Sequence, residues 1–195
     1  MFMNTKIICM GIKIGALSIP SFVLKSGMLL QFHWPLPKGS NEDRLLESAL
    51  TDKECLPNLQ KFTLPYRSSI PFWGERIDEI PLKTALITLC KISEIAALQI
   101  LNKLHLPENI LVTSLSFTDK HLLGLEIAWH FSDTIIFDSA GLDMLGVKKV
   151  FESIQEKIVQ NGSAIHIHYP SLSITNETVQ LEIINTTTSN YEILL

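Results

Sequence analysis

Asp138 and His168 are the side chains of this sequence best placed for chemistry, because each closes a short apolar run and an amphipathic segment separates the two runs. Thr134-Ile-Ile-Phe137 ends in Asp138, and Ser163-Ala-Ile-His-Ile ends in His168. Between them come a glycine-bearing turn, Gly141-Leu142-Asp143, and a helix-spaced stretch from about Leu145 to Gln160 with Val147, Val150, Phe151, Ile154 and Ile158 on one face. Asn161-Gly162 stops that helix. An aspartate at a strand end can coordinate a metal, and it can equally cap a turn or helix. A histidine there can contact a phosphate or remain a satisfied crevice group. His166 and His168 share a strand face because side chains alternate, so with Asp138 on the neighbouring strand they form a candidate His-His-Asp metal site. Asp143 has a second reading as the cap of the following helix.

The elements that must hold these groups read as strand, helix, strand. Such a unit makes its two strands parallel through a right-handed crossover, and an open α/β sheet places its ligand crevice at the carboxyl ends of such strands. The chain therefore reads as α/β. Upstream, Lys6 to Trp34 reads as strands: an apolar stretch through Ile14, a turn at Pro20, Phe22-Val-Leu24, a hairpin-like reversal at Lys25-Ser-Gly27, and Met28 to Phe32. A loop from Pro35 to Asn41 leads into a helix over Glu42 to Leu50. Residues 51 to 81 are rich in proline and aperiodic, so irregular structure is expected there. A single helix is expected over Leu82 to Leu104, with Pro107 just past it, and another over about Thr118 to His130, capped by Ser116 or Thr118. Thr178 to Ile184 reads as a terminal strand before a polar tail.

Composition narrows the function classes. A chain of 195 residues fits one domain, 1–195, with a β-rich start over 1–50, a helical and irregular region over 51–110 and the α/β core over 111–195. Hydrophobic residues make up 46% and charged residues 18%, which excludes a disordered chain, and the mean hydropathy of +0.24 favours a covered face. The formal charge of −4 gives no basic footprint, so nucleic-acid binding is set aside. Cys9, Cys55 and Cys90 lie too far apart in sequence for a short-spaced metal motif or a disulfide ladder and suit a reducing compartment. The start lacks the order of a signal peptide, no run approaches the roughly 20 apolar residues of a membrane span, and a cytoplasmic location is expected, with any membrane link through a partner. The sequons at Asn176 and Asn185 carry no weight without secretion. Trp34, Trp73 and Trp129 read as packing residues, with Phe72-Trp73 an alternative exposed anchor.

Taken together, Leu115-Ser116-Phe117-Thr118-Asp119 opening a helix, Ile135-Ile-Phe-Asp138-Ser-Ala-Gly-Leu-Asp143, and Ala164-Ile-His-Ile-His168 resemble the second half of an ABC-type ATPase of the P-loop NTPase superfamily. There a Leu-Ser-Gly-Gly-Gln signature opens a helix, a strand ends in the Walker B Asp-Glu pair, a Ser-Gly-Leu-Asp D-loop follows, and a later strand ends in the H-loop histidine. Ala140-Gly141-Leu142-Asp143 is the most specific match. Phe22 to Phe32 is similar to the antiparallel strands before the Walker A loop, and Gly39-Ser40 with Leu45-Leu46 stands where that loop and its helix belong. The resemblance implies a mostly parallel central sheet flanked by helices, with an antiparallel portion at the N-terminal side. It offers Ser116 as signature remnant, Gly141 and Asp143 as D-loop, Asp138 as Walker B, His168 as H-loop and Gln60 as a Q-loop remnant.

The same alignment shows departures that bear on chemistry. A Walker A loop cradles phosphates with successive backbone N–H groups, a lysine and a magnesium-binding hydroxyl. Aligned on Leu45-Leu46, Glu42 takes the lysine position and Asp43 the hydroxyl position, and Pro35 and Pro37 remove two N–H donors. Lys38 lies nearby, on the other side of Gly39. Ser139 stands where a water-polarising glutamate belongs, and Phe117-Thr118 replaces the signature Gly-Gly. The resemblance therefore implies a degenerate, non-hydrolysing pseudo-ATPase with no cofactor, acting as structural or regulatory partner of an ABC-type ATPase, a membrane-protein complex or a second copy of itself. The alternatives are an ATP hydrolase that uses Lys38 and Asp138, with ATP and magnesium, and a metal protein using Asp138, His166 and His168.

Overall fold

The computed structural model describes residues 4–52, 57–68, 80–169 and 179–184. Cys55, Phe72-Trp73 and the two sequons lie outside the described residues. The chain opens with β1 (Thr5–Cys9), β2 (Ile12–Ile14), β3 (Leu17–Ile19), β4 (Phe22–Lys25) and β5 (Leu29–His33), followed by α1 (Asn41–Thr51), β6 (Leu59–Lys61) and β7 (Tyr66–Arg67). Helices α2 (Leu82–Thr88), α3 (Glu94–Lys103) and α4 (Phe117–Phe131) come next, then β8 (Thr134–Asp138), α5 (Met144–Val159), β9 (Ser163–His168) and β10 (Gln180–Ile184).

The central sheet has the order β10-β5-β9-β8-β7 and is parallel except at β10, which pairs antiparallel with β5. A separate antiparallel sheet, β4-β1-β6, and the β2-β3 hairpin form the N-terminal β portion. The α/β expectation, a mostly parallel sheet with an antiparallel start, holds. One face of the central sheet packs Phe32, Ile136, Ile165 and Ile167 against Leu46 and Leu50 of α1 and the antiparallel strands. The opposite face packs Leu29, Ile135, Phe137 and Ala164 against Leu125 and Ala128 of α4 and Val150, Ile154 and Ile158 of α5. A third cluster joins α2 and α3 to Leu123 and Ile127 of α4. Each such fully buried leucine or isoleucine stabilises by about 1.5–3 kcal/mol.

Local chemistry sets the boundaries. In α5, Val150, Ile154 and Ile158 recur every fourth residue and are buried, Asp143 caps the start, and Asn161 at φ 69° ends it as the Gly162 N–H donates to the Lys157 carbonyl at 2.8 Å. Three local expectations are corrected. Lys25-Ser-Gly27 is not a hairpin, because β4 pairs with β1 while β5 pairs with β9 and β10. The turn passes between sheets and is fastened by Gly27 N–H to the Gly162 carbonyl at 2.9 Å and Ser163 Oγ to the Lys25 carbonyl at 3.0 Å. The expected helix over Leu82 to Leu104 is two, since Lys91 turns at φ 59° and Ser93 caps α3 by accepting the Ala96 N–H. Within 51–81 the described residues include the short strands β6 and β7.

Two ion pairs tie the layers. Lys6, buried in β1, donates to Asp133 at the start of β8 at 2.5 Å. Lys103 at the end of α3 meets the buried Glu126 of α4, also at 2.5 Å. Among the described residues no helix is long and apolar enough to cross a membrane.

Candidate functional site

The ends of β5, β8 and β9 meet the start of α1, and the loop between β5 and α1 decides what can bind there. Trp34 leaves β5 with its N–H donating to the His168 carbonyl at 2.8 Å, and the loop turns through Gly39 at φ 84° into Ser40. Ser40 caps α1 by accepting the Asp43 N–H at 3.2 Å. Asp43, only 4% exposed, bends its carboxylate back over this turn. Its Oδ2 accepts the Gly39 N–H at 2.7 Å, and its Oδ1 accepts the Tyr169 hydroxyl at 2.6 Å. Burial first, then the hydrogen bond and charge of Asp43, push the Tyr169 phenol far above its ordinary value, so it stays a donor.

The remaining charges also close on each other. Lys38 Nζ donates to Asp138 Oδ1 at 2.7 Å, and the Ala140 N–H donates to the same oxygen at 3.0 Å. Arg67 pairs with Glu47. Burial works against the Arg67 charge, yet the Glu47 hydrogen bond and charge, with Asp138 and Tyr169 close by, leave its pKa raised. Between Asp43, Glu47, Arg67, Asp138 and Tyr169 remains a cavity of about 10 Å³, space for one water at most. Glu42 turns away from the loop, and a Cβ placed on Gly15 would lie 2.9 Å from its Oε1.

These residues do not fit a magnesium nucleotide. The Gly39 amide is taken by a carboxylate, Pro35 and Pro37 offer no N–H, and the nearest ammonium is bound to the aspartate that a metal would need. A larger opening of about 480 Å³, lined by Gly11, Ile12, Lys13, Ser18, Pro57 and Asn58, lies on the antiparallel portion and contains none of the groups flagged by sequence.

The sheet register separates the candidate metal ligands. Phe137 sits opposite His166 and Asp138 opposite Ile167, so Asp138 faces the α1 side while His166 and His168 face the α5 side. The His-His-Asp site is therefore not assembled, and no group of three or more metal-binding side chains occurs among the described residues. Being on adjacent strands is not enough, because a one-residue offset in pairing reverses the face.

His166 is instead locked in place. Its Nδ1 lies 2.9 Å from Gln31 Oε1, an acceptor, which leaves Nε2 to accept the Ser139 hydroxyl at 3.1 Å. The ring stacks on Phe137 at 4.7 Å and meets the edge of Phe151 at 5.0 Å. Ser139, His166 and Gln31 thus have the connectivity of nucleophile, base and orienting group. The magnitude decides against that role: burial, then His168 and His33, push the His166 pKa down to about 3, far too weak a base to activate a hydroxyl. His168 is lowered as well, by burial and then His33, whose ring centroid is 5.5 Å away.

The other flagged residues have structural partners. Ser116 caps α4, accepting the Asp119 N–H at 3.1 Å and donating to Asp119 Oδ2 at 2.7 Å. Asp143 caps α5 through the Gly146 N–H at 2.7 Å. Gly141, at φ 83°, packs so close to Phe117 that a Cβ would lie 2.9 Å from its ring. Gln60 is exposed in β6 opposite Ile8, on the antiparallel sheet. Sequence reasoning missed Tyr169, Arg67 and Glu47. Tyr169 carried a usable signal, as the residue after His168 and hence on the opposite, α1-facing side.

No protein-family model matches the sequence, and no curated protein matches it. Solved structures do match in fold. A metal-chelate type ABC transporter in an inward-facing conformation superposes with TM-score 0.67 at 15% identity, over 94% of this chain and 84% of that one. The cbiO1 protein of Clostridium perfringens, part of the ABC transporter complex cbiONQ, gives 0.61 at 13% identity over 94% and 89%. An ATP-binding cassette of an ABC transporter in its ADP conformation gives 0.59 at 14% identity over 88% and 83%. The chain has the ABC ATP-binding cassette fold.

Proposed function

We propose that this chain is an ABC-ATPase-like subunit that does not turn over nucleotide and serves as the structural or regulatory partner of a competent ABC-type ATPase within a transporter-like membrane complex. The observation that carries this reading is the occupied crevice, where Lys38 neutralises Asp138 and Asp43 takes the Gly39 amide. A phosphate chain would have to displace a carboxylate held by two short hydrogen bonds, one from the Gly39 amide and one from the Tyr169 hydroxyl. Ser139 adds to it: where hydrolysis needs an acid to polarise water, a neutral hydroxyl stands, donating to His166. In this role the domain requires no ATP, magnesium or other cofactor, and Ser116, Gly141 and Asp143 keep helices and turns in place. Its location is cytoplasmic, with the membrane reached through the partner, in keeping with neighbours of the same fold that belong to ABC transporters.

Steady-state ATP hydrolysis by the purified chain and by its Asp138→Asn and Lys38→Ala variants tests the proposal. All three are expected at the background rate. Turnover by the wild type that either substitution abolishes would instead establish an ATPase using Lys38 and Asp138.

A further inference from the structure

We infer that His33 is a proton-operated switch, handed by protonation of its Nε2 from a buried chain of hydrogen bonds to the edge strand β10. The register of β10, β5, β9 and β8 lines up Glu182, Gln31, His166 and Phe137 across one face of the central sheet, with His33 and His168 opposite each other in the next row. Hydrogen bonds run along this face in one direction. Ser139 donates its hydroxyl to His166 Nε2 at 3.1 Å, and His166 Nδ1–H donates to Gln31 Oε1 at 2.9 Å. That leaves the Gln31 amide nitrogen, which only donates, 3.3 Å from His33 Nε2. The Glu182 carboxylate, which only accepts, also lies 3.3 Å from that nitrogen. One nitrogen cannot serve both partners. A lone pair there takes the Gln31 donor, and a proton there takes the Glu182 carboxylate.

In the neutral ring the proton sits on Nδ1, and Nε2 closes the chain of donors that begins at Ser139. In the imidazolium, Nε2–H turns to Glu182 as a charge-assisted pair, and the half-buried Gln31 gives its amide protons to water. Imidazole is the side chain whose charge changes between about pH 5 and 8. The neighbours restrict the cluster to one charge. Glu182 of β10 favours a proton on His33, while from β9 the His168 ring lies 5.5 Å away, with His166 5.9 Å beyond it. Burial and then His33 hold His168 below its ordinary value, so His33 takes the proton first. From α5 the Phe151 ring meets His166, and Asp138 of β8 faces the α1 side. The mechanical consequence falls on β10, which among the described residues is joined to the sheet through β5 alone. Mild acid fastens that edge strand through Glu182 and opens the chain leading to Ser139.

Long-range proton–nitrogen correlation spectra of the histidine rings from about pH 8 to 5.5, with amide-exchange protection of β10 measured in wild type and Glu182→Gln, test the switch. His166 stays neutral over this range. At the alkaline end His33 is expected to show an unprotonated Nε2 and a proton on Nδ1. On acidification it gains the Nε2 proton, and β10 protection rises about two- to fivefold in wild type, the margin of an exposed ion pair, and not in Glu182→Gln. Glu182 is exposed, so its replacement leaves the core packing intact. An Nε2 proton already present at the alkaline end, a His33 ring that keeps one protonation state throughout, or β10 protection that changes equally in the two proteins would overturn the inference.

Discussion

Mild acid should destabilise this protein through His166, and the size of the effect follows from where the ring sits. His166 is 2% exposed, stacked on Phe137, and its two nitrogens are committed to Gln31 and Ser139. Burial, then His168 and His33, lower its pKa from 6.5 to about 3. A histidine lowered in the folded state takes its proton more readily when unfolded. Its neutral form therefore costs nothing above about pH 6.5, and stability is lost as pH falls from there toward 3. At about pH 4.5 the two units of difference, at about 1.4 kcal/mol each, amount to about 3 kcal/mol. This is a large part of the 5–15 kcal/mol typical of a domain. His168, lowered for related reasons, acts in the same direction, so the comparison needs a variant. Urea unfolding of wild type and His166→Gln at several pH values isolates the term. The wild-type free energy should fall about 1.4 kcal/mol per pH unit more steeply than the variant's between about pH 6 and 4.5. Parallel curves for the two proteins would show that His166 is not the neutral, shielded group described here.

Three further substitutions test how the helices are capped and joined. Gly141→Ala should cost about 1–3 kcal/mol, because the residue sits at φ 83° and its new methyl would lie 2.9 Å from the Phe117 ring; a thermal melt reads the loss. Asp143→Ala removes the acceptor of the Gly146 N–H and should cost about 1 kcal/mol in chemical unfolding. Lys103→Met strands the buried Glu126 carboxylate and should cost about 2–4 kcal/mol, with Lys103→Met/Glu126→Gln recovering part of it; equal losses in the single and double variants would contradict the ion pair's role in joining α3 to α4.

The second half of the fold was legible because period and punctuation agree there. The apolar run ending at Asp138, the one-sided face of Val150, Ile154 and Ile158, and the stop at Asn161-Gly162 each point to the same strand, helix, strand unit. The first half was less so. Apolar runs around Lys25-Ser-Gly27 read alike whether their strands pair with each other or with distant partners, and the pairing is set by long-range contacts to β1 and β9. The helix break at Lys91 was hidden because the apolar spacing runs on through it, while Ser93 spoke for a cap only weakly on its own. At the crevice, two acids in the phosphate-binding positions were visible from alignment. That Asp43 folds inward while Glu42 turns out toward Gly15 depends on tertiary neighbours, Tyr169 among them, that lie far away in sequence. The face to which Asp138 points was lost for a related reason: residue spacing gives the alternation within a strand, but not the register between two strands.

In the proposed reading Lys38 on Asp138 and Asp43 on Gly39 fill the crevice and leave no seat for a nucleotide. Calorimetric titration of magnesium-ATP into the wild-type chain tests it most directly. No saturable heat up to millimolar nucleotide is the expected result, and stoichiometric binding in the micromolar range would contradict the account.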